Sequence, residues 1–363
     1  MTVSDARIAR IPGAAARTLL AIAGAMAVGA VVLALAGLPL ASTFVSIAEG
    51  AVGSSFAIRE WLTEAAPITL TALGVAVAFR AGLFNLGGEG QIYIGALGGV
   101  MIALTLTSLP GAVLIIVASL AGMIAAGMWG GIAGVLRARL GLSEIITTIM
   151  LNFSAFWLVS YLVHGPIEDP HGTRYPWTEE IVARAQLGSV GGVLPIVAIV
   201  LAGVTVVVWA VLERTGVGLR IKHCGLSQTA SRFAGVRVGG VVLLAMVLAG
   251  SLAGLGGVMS LLGDQHRLSD FFAPEWGFVA VAIALIGRGT ALGTLAAGLF
   301  IAAVRSGVDQ AQATAHVPSS VAEILLGAVV LFMIIANADV VMRYARRVSV
   351  SGLFTTRRHA GIP

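Results

Sequence analysis

Ten times between residues 19 and 342 the chain runs through an apolar stretch nearly free of charge, and most of these stretches are close to 20 residues long. A helix of about 20 apolar residues matches the hydrocarbon thickness of a bilayer. The runs are continuous rather than alternating, which argues against a transmembrane β-barrel. Only 11% of residues are charged and 58% are hydrophobic, against about 25% charged in a soluble domain. The expected fold class is an all-α polytopic membrane protein with about ten transmembrane segments, and the net charge of +5 is not a nucleic-acid signal.

The spans read as 19–38, 62–80, 89–107, 112–136, 144–163, 191–212, 240–262, 276–287, 291–308 and 320–342. A basic leader, 1–17, precedes them and a basic tail, 344–363, follows. The apolar body, 18–343, carries an outside segment over 40–61 with room for an interfacial helix near Trp61. It also carries a long acidic outside loop over 164–190 and a basic inside loop over 213–238. The charged leader is followed by a core longer than a cleaved signal has, so the first span is expected to stay. Ser143 reads as a helix N-cap with Glu144 in the first turn. With both termini inside, 17 of the 22 Lys and Arg residues fall on the cytosolic side and 5 outside, as the positive-inside rule requires.

Against this background Arg80–Gly99, RAGLFNLGGEGQIYIGALGG, stands apart. It sets Asn85, Glu89 and Gln91 among glycines between two apolar spans. Irregular backbone at membrane depth is tolerated only where it is buried in protein or lines a wet cavity, and a carboxylate there is a functional residue by default. The plain alternative is that the glycines serve close helix packing and Glu89 lies at the cytosolic boundary. A second weak point is the short eighth segment, which stops at Gly287-Arg288-Gly289. The sequence therefore predicts glycine-broken helices near 81–90 and 276–290, and paired breaks of this kind mark transporter sites. Asn85, Glu89, Gln91 and Asn152 are the candidate path residues, with Phe84, Phe153 and Trp157 able to stack on a ring or to serve as packing.

Enzyme signatures are missing. The chain has no phosphate-binding lysine loop, no nucleophile elbow and no helix-paired histidines. Its one cysteine, Cys224, excludes an internal disulfide and reads as an inert loop residue. No cofactor or metal ligand set is expected. In the inside loop, Ser227 reads as an N-cap and Gly235 as a helix stop. A short capped helix between them suits docking into a groove on a partner, and incidental helicity in a basic loop is the other reading.

Four stretches resemble a known family. FRAGLFNLGGEGQIYIGALGG (79–99), SEIITTIMLNF (143–153), GLRIKHCGLSQTASRFAGV (218–236) and, more weakly, ALIGRGTALGTLAAGLFIAAVRSG (284–307) are similar, in order, to the membrane permease subunits of bacterial ABC importers. Within the branched-chain amino acid, ribose and nucleoside group they sit closest to the nucleoside and simple-sugar permeases. The chain departs where that family's coupling loop has Asn-Pro, which is Ser227-Gln228 here, and where its fifth-span motif begins with Asn, which is Ser143.

The resemblance implies a multi-pass protein of the bacterial inner membrane that pairs with a second, homologous permease. It also implies two cytosolic ATP-binding subunits, which hydrolyse the ATP, and an extracytoplasmic solute-binding protein. Arg220, Lys222, Ser227, Ala230, Arg232 and Gly235 are then the residues that couple to the ATPases. The solute is expected to be a small polar one, a nucleoside or a related sugar-containing molecule. A simple sugar, a branched-chain amino acid, or an ion-coupled carrier working alone are the alternatives. Beyond its partners and the surrounding lipid, no nucleic acid is implied.

Overall fold

The computed structural model describes residues 14–171, 175–192 and 194–336, without side-chain detail for 14–19. The expected leader and tail fall mostly outside the described residues, as do Arg174 and Asp339. Thirteen α-helices are described: α1 (Ala14–Leu35), α2 (Leu40–Val52), α3 (Ser55–Arg80), α4 (Gly88–Thr105), α5 (Gly111–Leu140), α6 (Glu144–Val163), α7 (Ile196–Arg214), α8 (Gly216–Leu226), α9 (Gln228–Phe233), α10 (Val238–Ser260), α11 (Trp276–Ile286), α12 (Ala291–Ala315) and α13 (Ser319–Ala336). Among the described residues, α3, α5, α6, α7, α10, α12 and α13 are long and apolar enough to cross a membrane. The fold is all-α and polytopic, and every expected span is occupied by a helix.

Helix α3 is the central post, with every residue from Ala65 to Phe79 buried. It is started by Ser54, whose hydroxyl accepts from the Ala57 amide at 3.0 Å, the usual side-chain cap. Helices α10, α11, α12 and α7 surround it, while α10 also packs along α4 and α5. Small residues permit this density. A Cβ at Gly95 would overlap the Gly254 backbone, and one at Gly250 would overlap the Ala126 carbonyl. With no hydrophobic drive between helices in lipid, such close approach is what holds a bundle together. Helices α1 and α13 pair antiparallel at one edge and reach the body through α2 and α12.

Several boundaries depart from the sequence reading. Residues 40–61 are not an open loop: α2 lies along α12, and α3 begins at Ser55, so Trp61 sits inside α3 with its indole N–H donating to the Ala51 carbonyl at 2.9 Å. The sixth span starts at Ile196, because Ser189–Val190 and Leu194–Pro195 form a two-stranded ribbon before it. The ninth runs on to Ala315. The inside loop holds the expected short helix, α9, with the Ser227 hydroxyl accepting from Ala230 and Gly235 in the left-handed region at φ 78°. It also holds α8, which the sequence reading left out, and Cys224 is buried within α8 rather than lying in a loop. Ser143 stands at the start of α6 without a side-chain cap bond. Glu144 is buried there and pairs with Arg137 at 3.2 Å.

Candidate functional site

The site is built where two helices begin inside the membrane. Helix α3 ends at Arg80, and residues 81–87 turn back through Gly82 (φ 75°). They climb until Gly88, the first residue of α4, packs against Thr71 of α3. Thr71 lies nine residues, about 14 Å, along α3 from Arg80, so α4 starts near the middle of a hydrocarbon core about 30 Å thick. Helix α11 is the complement. Its 11 residues descend from the same depth, where a Cβ at Gly277 would overlap the Glu89 amide. They end level with Arg80, whose Nε donates to the Gly289 carbonyl at 2.8 Å. Both predicted breaks are therefore present, and the N-termini of two half-helices meet at the midplane, the arrangement that discontinuous helices give in transporters.

The four candidate path residues divide. Asn85 and Gln91 are each 1% exposed and bond to each other: Asn85 Nδ2 donates to Gln91 Oε1 at 3.1 Å, while Asn85 Oδ1 accepts from the Gly87 amide at 2.9 Å. These two amides hold the climbing loop in shape and do not reach an open cavity. Asn152 does the same from α6. Its Oδ1 accepts from the Gly90 amide at 2.9 Å and its Nδ2 donates to the Leu86 carbonyl at 2.8 Å. Unlike the other two, it also borders a cavity, where one amide hydrogen and one lone pair remain. Glu144 completes the cradle by accepting from the Phe84 amide at 3.4 Å.

Glu89 is the exception. One carboxylate oxygen accepts from the Glu275 amide at 3.3 Å, and the other, Oε2, is buried and has no hydrogen-bond partner. The Glu89 residue borders a cavity of about 280 Å³, lined by Glu89 and Tyr93 of α4, Ile149, Asn152, Phe153, Phe156 and Trp157 of α6, and Phe278 of α11. Phe153 and Trp157 stand on its open side, as the sequence reading allowed; Phe84 instead packs on Phe79, ring centroids 4.9 Å apart. Tyr93, Phe156 and Phe278 were missed. A signal existed for two of them: Tyr93 is one helical turn from Glu89, and Phe156 shares the Phe153/Trp157 face. Glu275, between the seventh and eighth expected spans, lies level with Glu89, to whose carboxylate its amide donates.

The cavity opens sideways, between exposed Trp157, Phe153 and Phe278. The expected coupling residues lie apart from this cavity. Arg220, Lys222, Ser227, Ala230, Arg232 and Gly235 are all exposed, and Arg220 and Gly235 also line a hollow of about 590 Å³ against α10. Phe233, absent from the sequence-derived set, projects from α9 with 90% of its surface exposed. The two regions touch. Gly225 at the end of α8 lies directly on the Arg80 carbonyl and on Gly82, the first residues of the climbing loop. Arg80 pairs with Glu213 of α7. Burial pushes the Cys224 thiol of α8 upward, opposed by nearby Arg232.

Comparison with known proteins agrees with this architecture. Residues 57–334 match the family described as the branched-chain amino acid transport system permease component. The glucose ABC transporter permease protein TsgB13 of Haloferax volcanii is 35% identical over 87% of this chain and 86% of its own. The guanosine ABC transporter permease protein NupP of Bacillus subtilis is 30% identical over 87% and 91%. The nucleoside ABC transporter permease protein NupB of Lactococcus lactis is 30% identical over 87% and 89%.

Proposed function

Because this chain belongs to the branched-chain amino acid transport system permease family, we propose that it forms the solute path of an ATP-driven importer in the cytoplasmic membrane, and that its solute is a nucleoside. The observation that carries the reading is Glu89, which has a buried, unpartnered Oε2 and borders a cavity walled by aromatic rings. A carboxylate accepts hydrogen bonds from ribose hydroxyls and from base N–H groups, and aromatic faces stack on a base. The permeases for guanosine and nucleosides among the relatives point the same way. A sugar is the second reading, favoured by 35% identity to a glucose permease; it would use Glu89 and leave the rings less employed.

The cavity's open side calls for a cover. A carboxylate facing lipid is costly, so a second permease subunit closing against α6 and α11 completes the path. Helices α8 and α9 offer a basic, exposed surface with one aromatic anchor to each of two cytosolic ATP-binding subunits, which hydrolyse the ATP. An extracytoplasmic binding protein delivers the solute to the outer face. Import proceeds by alternating access. ATP binds the two conformations of the complex with different affinity, as any driven change requires. The movement of α8 reaches the climbing loop 81–87 through the Gly225–Arg80 contact.

The test is uptake by proteoliposomes containing the co-expressed complex, using radiolabelled nucleosides, sugars and branched-chain amino acids, with and without ATP on the side of residues 213–238. ATP-dependent nucleoside uptake, lost in Glu89→Gln, is the expected result. ATP-dependent uptake of another solute alone would overturn the nucleoside assignment. Ion-driven uptake by this chain by itself would overturn the importer reading.

A further inference from the structure

The segment between α10 and α11 is built in two unlike halves. It leaves α10 through a π-turn, Leu261–Gln265, a geometry that recurs at functional sites. It is then bounded by two non-glycine residues in the left-handed region, His266 (φ 58°) and Glu275 (φ 64°), a conformation that costs energy and persists where function holds it.

The first half is stitched to the outside loop. The Thr178 amide donates to the Leu268 carbonyl at 3.0 Å and the Ile181 amide to the His266 carbonyl at 3.0 Å. Leu268 donates back to the Thr178 hydroxyl at 3.1 Å, and Arg267 pairs with Asp169 at 3.1 Å and Glu180 at 3.3 Å.

The second half, residues 270–275, runs from that level to Glu89 behind the cavity's lining, with Phe271 against Phe156 and Phe272 against Tyr93. Among the described residues its backbone is held by side chains. Tyr93 donates to the Asp270 carbonyl at 3.0 Å and accepts from the Ala273 amide at 3.4 Å. Gln265 donates to the Phe272 carbonyl at 2.8 Å, and Glu89 accepts from the Glu275 amide at 3.3 Å. The Asp270 side chain meets His164, the residue after α6, at 3.4 Å. Two of the three bonds to α4 exceed the usual 2.7–3.2 Å range for N–H···O, so they are the easiest to break.

We propose that residues 270–275 are the outer gate of the path and that Glu89 and Tyr93 are its latch; this rests on the reading of the cavity as the solute path. Residues 266–269 stay fixed to the outside loop while 270–275 swing on the left-handed Glu275. With the cavity empty, Glu89 holds the Glu275 amide and the gate is shut against the outside. A solute hydroxyl or N–H that draws the carboxylate toward the cavity weakens that bond, so occupancy and gate position are linked through one residue. Tyr93 is a positioning residue: it fixes the gate through Asp270 and Ala273. This gives a solute the differential contact with two states that a conformational change requires.

The experiment measures thiol labelling from outside. Ile149→Cys places a thiol on the cavity wall of the full complex in proteoliposomes; the native Cys224 is buried on the opposite side. A membrane-impermeant maleimide is applied outside without ATP. Adding Tyr93→Phe removes both bonds and is expected to speed labelling by about five- to thirtyfold, the factors one and two net hydrogen bonds are worth. Labelling of a Ser227→Cys thiol from the cytosolic side should not change. An unchanged rate at residue 149, or equal acceleration on both sides, would overturn the gate. If Tyr93→Phe fails to assemble, His164→Gln, which loosens the gate through Asp270 from outside the cavity, is read the same way. The assay requires no transport. A complex that imports something other than a nucleoside, yet labels faster, keeps the gate and loses only the nucleoside assignment.

Discussion

Gly225 is the point at which the cytosolic helices press on the membrane path, and Gly225→Ala is the most direct perturbation of that contact. A Cβ there would overlap the Arg80 carbonyl oxygen and lie 2.9 Å from both the Arg80 carbonyl carbon and the Gly82 nitrogen. All three are backbone atoms, so no side chain can rotate away. The end of α8 must back off from the α3 terminus by several tenths of an ångström or more. Arg80 is tied at the same time to the Gly289 carbonyl and to Glu213, which resists the shift from the other side. Overpacking a fitted contact costs about 1–3 kcal/mol. If that strain falls unequally on the two transport conformations, the balance between them moves by roughly 5- to 150-fold. The assay is solute imported per ATP hydrolysed, alongside the complex's thermal midpoint. The expected result is continued ATP hydrolysis with at least a fivefold drop in solute per ATP. Wild-type stoichiometry together with an unshifted midpoint would refute the claim that α8 drives the loop through this contact.

Other expectations follow from the same contacts. Phe233→Ala should leave the permease's own melting unchanged, because the ring touches little within the chain, yet weaken co-purification of the ATP-binding subunits by about 30-fold, a typical aromatic hot spot of about 2 kcal/mol. Glu144→Ala strands Arg137 and the Phe84 amide, and should cost about 3 kcal/mol, read as a lower melting temperature of the detergent-solubilised complex. Asn152→Leu removes both bonds to the climbing loop; uptake should fall at least tenfold, with protease sensitivity rising near residues 81–90. The Cys224 thiol, raised by burial, should react slowly with maleimide at neutral pH and faster as pH rises; equal rates at pH 7 and pH 9 would contradict its buried setting.

How far the sequence could be read depended on the range of the interaction involved. Apolar length and the distribution of Arg and Lys are local properties, and they located every span to within a few residues except where α2 and α12 pack on each other. Caps and stops are also local, which is why Ser227 and Gly235 bounded α9 correctly. The breaks at 81–87 and 287–289 were legible because glycine and polar residues interrupt hydrocarbon there. What those polar residues do was not legible. Asn85, Gln91 and Glu89 sit within seven positions of one another, and nothing in their spacing separates two amides that satisfy each other from a carboxylate left with a free oxygen. That division is made by Asn152, 62 positions from Gly90, and by Glu275, 186 positions from Glu89. Residues 270–275 carry acidic side chains suited to water and lie between the seventh and eighth expected spans. Tyr93, 177 positions from Asp270 in the chain, is one of the residues that tie them to α4. A transporter's moving parts are of this kind by necessity. A segment that must change partners cannot be fixed by its own periodicity, so the least legible stretch of the sequence is the one where the gate is proposed.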